Sequence, residues 1–375
     1  MRRVAIASVL TALGAAPGTS FGTALAAQQP SAGPYKVLKA ARVGGEGGWD
    51  YIKADPVNRR LYIPRGGPGR GSTDQSYGPR IMVYNLDNLD SVAALLGTSG
   101  NGAVVDTKSG HGFASSRPTL LMFDPKTMTE LKRIPYDSGF APDGIFFDSY
   151  NDHVYVCSHP TKNCAVVDSH DGNVLGYADV KGPPEEGVAD GRGTVYIVRQ
   201  DTGAVAVIDA KTMQNTANYA LGGKTRCNGL ALDDRNKILF AACASAVDAP
   251  APVPGTPSSN ASITVLSARD GKILATLPLP AGSDGMEFNP QTMEAFSTGG
   301  GVLTVVKENS PTSFVVEQNL PTMGNSRTIA FDPKTGHVFT MAQEITPPPQ
   351  PPPPGGRGGR GSAVPGSFTI LMIGR

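Results

Sequence analysis

One tryptophan, five histidines and four cysteines are all that this 375-residue chain offers of the side chains that most often build redox centres. It has no CxxC pair, no CxxCH, no GxSxG and no phosphate-binding glycine loop. These absences exclude the local signatures of a zinc ribbon, a c-type haem, an α/β-hydrolase and a P-loop nucleotide site. Charged residues make up only 17% of the chain and the net charge is +1. Losing Arg2 and Arg3 with a cleaved leader brings it to about −1, so electrostatics give no reason to expect nucleic-acid binding. No apolar run approaches the ~20 residues that cross a bilayer, and no window carries a long 3.6-period apolar stripe. What the chain has in quantity is glycine (46) and proline (32), the composition of short strands joined by turns.

The first residues, "MRRVAIASVLTALGAAPGTSFGTALAAQQ", place two arginines before an apolar stretch and small residues around Ala26 and Ala27. This layout is that of a secretory signal over 1–27, and it predicts a periplasmic or secreted protein. Four cysteines suit such an oxidising compartment. Cys157 and Cys164 flank "SHPTKN", while Cys227 and Cys243 flank "NGLALDDRNKILFAA". Both spacings fit cross-links within a hairpin, so two local disulfides, Cys157–Cys164 and Cys227–Cys243, are expected.

A repeat organises the rest. "DYIKAD", "NGAVVD", "DGIFFD", "EGVAD", "NGLALD", "DGMEFN" and "RTIAFD" end on Asp55, Asp106, Asp148, Asp190, Asp233, Asn289 and Asp332, roughly 40 to 50 residues apart. Each is followed by a second strand such as "HVYVCS" or "TVYIVR", a third such as "AVVDSHDG" or "VAVIDAKTM", and a fourth such as "KILATLPL". Four antiparallel strands repeated radially are a β-propeller blade, and seven anchors predict an all-β, seven-bladed propeller over 34–375. The last unit, ending "SFTILMIGR", lacks a fourth strand; "PYKVLKAARV" at 34–43 supplies it and closes the ring without exposed sheet edges.

These repeats resemble the YVTN-type β-propeller family, with Val154-Tyr155-Val156-Cys157 and Val195-Tyr196-Ile197-Val198 nearest its signature. They are also similar to lactonase-type and quinoprotein-type seven-bladed propellers. The resemblance implies the fold, and it raises two activities: a metal-dependent lactonase- or esterase-like hydrolase, and a quinoprotein-like redox role.

Insertions at 66–80, 244–260 and 346–367 all lie between a second and a third strand, so they emerge on one face. Long loops gathered on one face carry binding function, which predicts a binding or scaffold protein for a protein, glycan or small polar ligand. The proline tract of the third insertion reads as an extended spacer.

Counting back five residues from each anchor gives Asp50, Asn101, Asp143, Asn228, Asp284 and Arg327, with Glu186 in the fourth blade after a one-residue deletion. Each starts an innermost strand, so these seven and the adjacent Trp49 are the expected ligand-binding residues around the channel mouth. Arg327 falls between Asp284 and Asp50. Asn101, Asp143, Glu186 and Asn228 form an arc with no basic partner, an oxygen-only set that suits Ca²⁺. His111, His153 and His337 read as exposed turn positions, and His159 and His170 as isolated.

Overall fold

The buried carboxyl or amide at each anchor organises a turn. Asp55 Oδ1 accepts the Val57 amide at 3.0 Å, Asp106 that of Lys108 at 2.8 Å, Asp148 that of Tyr150 at 3.1 Å and Asp190 that of Arg192 at 2.8 Å. Asp233, Asn289 and Asp332 accept from Arg235, Gln291 and Lys334 in the same way. A side-chain acceptor two residues upstream replaces the missing ladder partner where the chain reverses. The repeated acid therefore belongs to the face opposite the loop insertions, where first strands end and second strands begin.

The computed structural model describes residues 32–68, 77–98, 100–246, 260–346 and 362–375. The expected leader at 1–27 and the proline tract lie outside them. Among the described residues all regular structure is strand, in seven four-stranded antiparallel sheets that form a seven-bladed β-propeller and one short two-stranded ribbon. Blades 1 to 6 cover 53–96, 103–135, 142–179, 184–220, 224–278 and 286–321, with strands neighbouring in chain order. Blade 7 consists of Arg327–Asp332, His337–Ala342 and Thr369–Gly374, and its fourth strand is Lys36–Arg42. Lys36 lies opposite Gly374 and Arg42 opposite Thr369.

Second and third strands are sandwiched between neighbouring blades, which is why they read as unbroken apolar runs. Val154, Tyr155, Val156 and Cys157 are fully buried, and Tyr155 and Val166 meet Val195 and Ile197 of the next blade. Burying each such side chain contributes about 1.5–3 kcal/mol. Fourth strands are outermost and leave Leu38, Val92, Leu131 and Leu175 exposed.

Polar stitches join the blades. Arg59 of blade 1 meets the fully buried Asp332 of blade 7 at 2.8 Å. Asn236 of blade 5 donates to Glu308 of blade 6 at 2.7 Å. Glu294, also fully buried, accepts from Tyr35 and pairs with Arg375, which ties the two chain ends to blade 6.

Both disulfides form as expected. Cys157–Cys164 links directly opposed residues of the second and third strands of blade 3, and Cys227–Cys243 links the first and second strands of blade 5. His111, His153 and His337 are half-buried rather than exposed. For His111 an interblade contact accounts for the difference, since its Nδ1 lies 2.8 Å from the Ser169 carbonyl of blade 3; burial lowers the pKa of His153.

Insertion 66–80 runs from Arg60–Arg65 to Arg80–Asn85, 244–260 from Ile238–Ala246 to Ser262–Ser267, and 346–367 from His337–Ala342 to Thr369–Gly374. All three leave on the face where innermost strands begin. The base of the last is pinned by pairing of Ile345–Thr346 with Ser362–Ala363. No described helix is long and apolar enough to cross a membrane.

Candidate functional site: the polar channel mouth

Strand register fixes which side chains reach the mouth. In blade 3, Pro142 pairs with Ser158 and Ile145 with Val156; in blade 4, Pro184 pairs with Arg199 and Gly187 with Ile197. Asp143 thus corresponds to Glu185, not to Glu186. The fourth blade has no deletion, and Glu186 takes the place of Gly144.

That displaced position explains the channel interior. Its occupants around the ring are Tyr51, Gly102, Gly144, Glu186, Gly229, Gly285 and Thr328, which leaves four positions without side chains. Glu186 uses the space over two of them to reach the backbone, accepting from Leu230 N at 2.6 Å and Met286 N at 3.0 Å. Burial raises its pKa to about 8 despite these two donors. Tyr51 crosses the other two: a Cβ on Gly102 would lie 3.2 Å from Tyr51 Cβ, and one on Gly144 3.5 Å from its ring. Its hydroxyl donates to Glu185 Oε2 at 2.6 Å.

A nearly continuous chain of polar contacts runs round the mouth. Asn101 Nδ2 donates to Asp143 Oδ1 at 2.6 Å. His159 Nε2 lies 3.0 Å from Asp143 Oδ2 and 3.2 Å from Glu185 Oε1. Gln200 donates to Glu185 and, at 3.5 Å, to Asn228. Asn228 reaches Asp284 at 3.4 Å, and Arg327 Nη1 meets the other Asp284 oxygen at 3.1 Å. Arg327 Nη2 donates to the Trp49 carbonyl at 2.7 Å while its guanidinium lies 4.8 Å from the indole centre. Trp49 itself is buried edge-on against Phe368.

Two expectations therefore change. The carboxylate pair of blades 3 and 4 does have a basic partner, because His159 leaves the second strand of blade 3 at the Cys157–Cys164 hairpin and turns into the ring. Asp143, followed by Glu185, holds a proton on this imidazole and raises its pKa to about 10. The Nε2 atom is screened from solvent, yet neither oxygen meets its N–H along a straight hydrogen-bond line, so the contact is an ion pair. The oxygen-only set proposed for Ca²⁺ is not assembled either: Asn101 touches Asp143, but Glu186 points into the channel and Asn228 joins Asp284.

Asp50 is the ring member whose side chain makes no hydrogen bond among the described residues. Burial, then the Asp143 and Asp284 charges, push its pKa well above the usual carboxylate range, against the pull of Arg327. Burial also raises the pKa of Glu185, against the pull of His159 and Tyr51. Four acids share the mouth with one imidazole and one guanidinium.

Beside the Arg327 arc, a cleft of about 1280 Å³ opens on the loop face. Trp49, Arg226, Asn228, Asp284, Arg327 and Glu344 contribute its polar and aromatic lining.

The fold and the mouth define a seven-bladed propeller with a polar, partly plugged channel. The chain is similar in fold to solved structures. One, described as the crystal structure of RRP9 WD40 repeats, gives a TM-score of 0.68 at 10% identity, with 92% of this chain and 99% of that chain covered. Another, described as the structure of U3-55K, gives 0.67 at 10% identity, covering 91% and 99%. At this identity the likeness shows the fold alone. No family model matches the chain, and no curated protein matches it by sequence.

Proposed function

We propose that the chain is an exported binding protein that seats a polar ligand, or a polar segment of a protein or glycan partner, in the loop-face cleft beside the channel mouth. The observation that carries this reading is the coincidence of the cleft with the insertions. Its walls include Ala244 at the start of one insertion and Ile345, Thr346 and Val364 at the base of another. A concave site with an aromatic body and a few convergent charges is the usual form of a binding pocket. Arg226 and Arg327 line it together with Asp284 and Glu344, a balance that favours neutral or zwitterionic groups over a strong ion of either sign. The two disulfides agree with an oxidising, extracytoplasmic setting.

A thermal-shift screen of sugars, amino acids and short peptides tests this. Ligands that raise the wild-type midpoint should lose most of their effect on Arg226→Glu and on a chain lacking 347–361. If no ligand shifts the wild type, or both variants respond like it, the cleft is not the site.

A metal-dependent lactonase- or esterase-like hydrolase is the second reading. It is favoured by the imidazole held between two carboxylates, and turnover of a lactone and ester panel that is abolished in Asp143→Asn would support it.

A further inference from the structure

We infer that Asp143, His159 and Glu185 form a binding site for one first-row divalent transition ion, with Zn²⁺ the best match. The site lies on the opposite arc of the mouth from the cleft, so this inference goes beyond the binding reading and does not depend on it.

The three ligand atoms lie within 4.8 Å of one another. Two ligands bound at about 2.0–2.1 Å with angles of about 90–110° are about 3 Å apart, and His159 Nε2 sits 3.0 and 3.2 Å from the two carboxylate oxygens. Both His159 distances are therefore already those of ligands that share one ion. One imidazole nitrogen with two carboxylates selects borderline ions; Ca²⁺ takes six to eight oxygens, which this arc does not gather.

Supporting contacts are already in place. Asn101 holds the outer oxygen of Asp143, Tyr51 holds the outer oxygen of Glu185, and Gln200 donates to Glu185 Oε1. Partners of this kind fix the orientation of metal ligands and raise metal affinity. The Cys157–Cys164 cross-link anchors the turn carrying His159, and Ser158 at its base accepts from Ala141 N and Thr161. Glu185 is 6% exposed and His159 Nε2 is screened from solvent, so the ion would have a dry wall, while the rest of the His159 side chain, 32% exposed, borders the open mouth. Arg327, the other cation of the ring, is engaged by Asp284 in the opposite arc.

The test uses the full-length protein, stripped with a chelator and titrated calorimetrically with Zn²⁺, Mn²⁺ and Ca²⁺. One equivalent of Zn²⁺ should bind with micromolar or tighter affinity. His159→Gln and Glu185→Gln should each weaken it at least tenfold with an unchanged circular dichroism spectrum. Co²⁺ gives a second readout on the wild type alone: visible bands should appear on binding and disappear when Zn²⁺ is added. Crystals of the wild type soaked in Zn²⁺ should show an anomalous peak between the three side chains, which decides the matter even if a variant fails to fold. Absence of Zn²⁺ binding, equal binding by His159→Gln, preference for Ca²⁺, or a peak elsewhere would each overturn the inference.

Discussion

Glu308 offers a quantitative test of how the blades are stitched together. Its side chain is 3% exposed; Oε1 accepts from Asn236, while Oε2 has no hydrogen-bond partner. Burial, opposed by Asn236 and reinforced by the neighbouring Asp233, raises its pKa to about 7. When protonated, Glu308 donates towards Asp233; when ionised, it faces a second carboxylate in a dry seam. The folded pKa lies above the unfolded value, so this contribution to stability is full below about pH 4.5 and is lost as the pH rises to about 7. A rise from 4.5 to about 7 corresponds to about 3 kcal/mol at most. Glu308→Gln keeps an acceptor for Asn236 and supplies a permanent donor to Asp233. The variant should match the wild type at pH 4.5 and melt about 5 °C higher at pH 8, taking roughly 2 °C per kcal/mol for a chain of this size. Thermal melts followed by circular dichroism from pH 4 to 9 measure this. A variant that melts lower at pH 8, or whose difference from wild type does not change with pH, would refute the argument.

Further outcomes follow from the other stitches. Arg59→Met leaves the fully buried Asp332 without its cation and should cost about 3–5 kcal/mol in urea unfolding, whereas Asp87→Ala, on the exposed side of the same arginine, should leave the midpoint unchanged. Replacing Cys157 and Cys164 together by serine should cost about 2–3 kcal/mol. The doubly substituted protein should then respond to a reducing agent only through Cys227–Cys243, as read by its remaining shift in melting temperature.

The architecture was legible because its signals are local and repeated. An acid or amide at the end of each inner strand, apolar second and third strands, and an orphan strand at 34–43 were enough to count blades and close the ring. The channel mouth was less legible because it depends on register to a single residue. Taking "EGVAD" rather than "EEGVAD" as the repeat moved the ring position from Glu185 to Glu186, and counting five back from Asp190 recovers it. His159 carries no comparable signal. It follows the second strand, and only the curl of the disulfide hairpin carries it into the ring. Tyr51 and Glu186 could be understood only after the glycines at the equivalent positions of other blades were seen to leave room for them.

The pairing that closes blade 7 has a mechanical consequence. Lys36 stands opposite Gly374 in an antiparallel ladder, so a force applied to the two chain ends opens that ladder from one end, one hydrogen bond after another. Such a zipper yields at lower load than a ladder sheared along its length. The closing seam is therefore the weakest point under tension, even though its inner neighbours, with Ile370, Leu371 and Ile373 buried, belong to the core. Beyond that seam, the Glu294 contacts with Tyr35 and Arg375 form a latch that must open first.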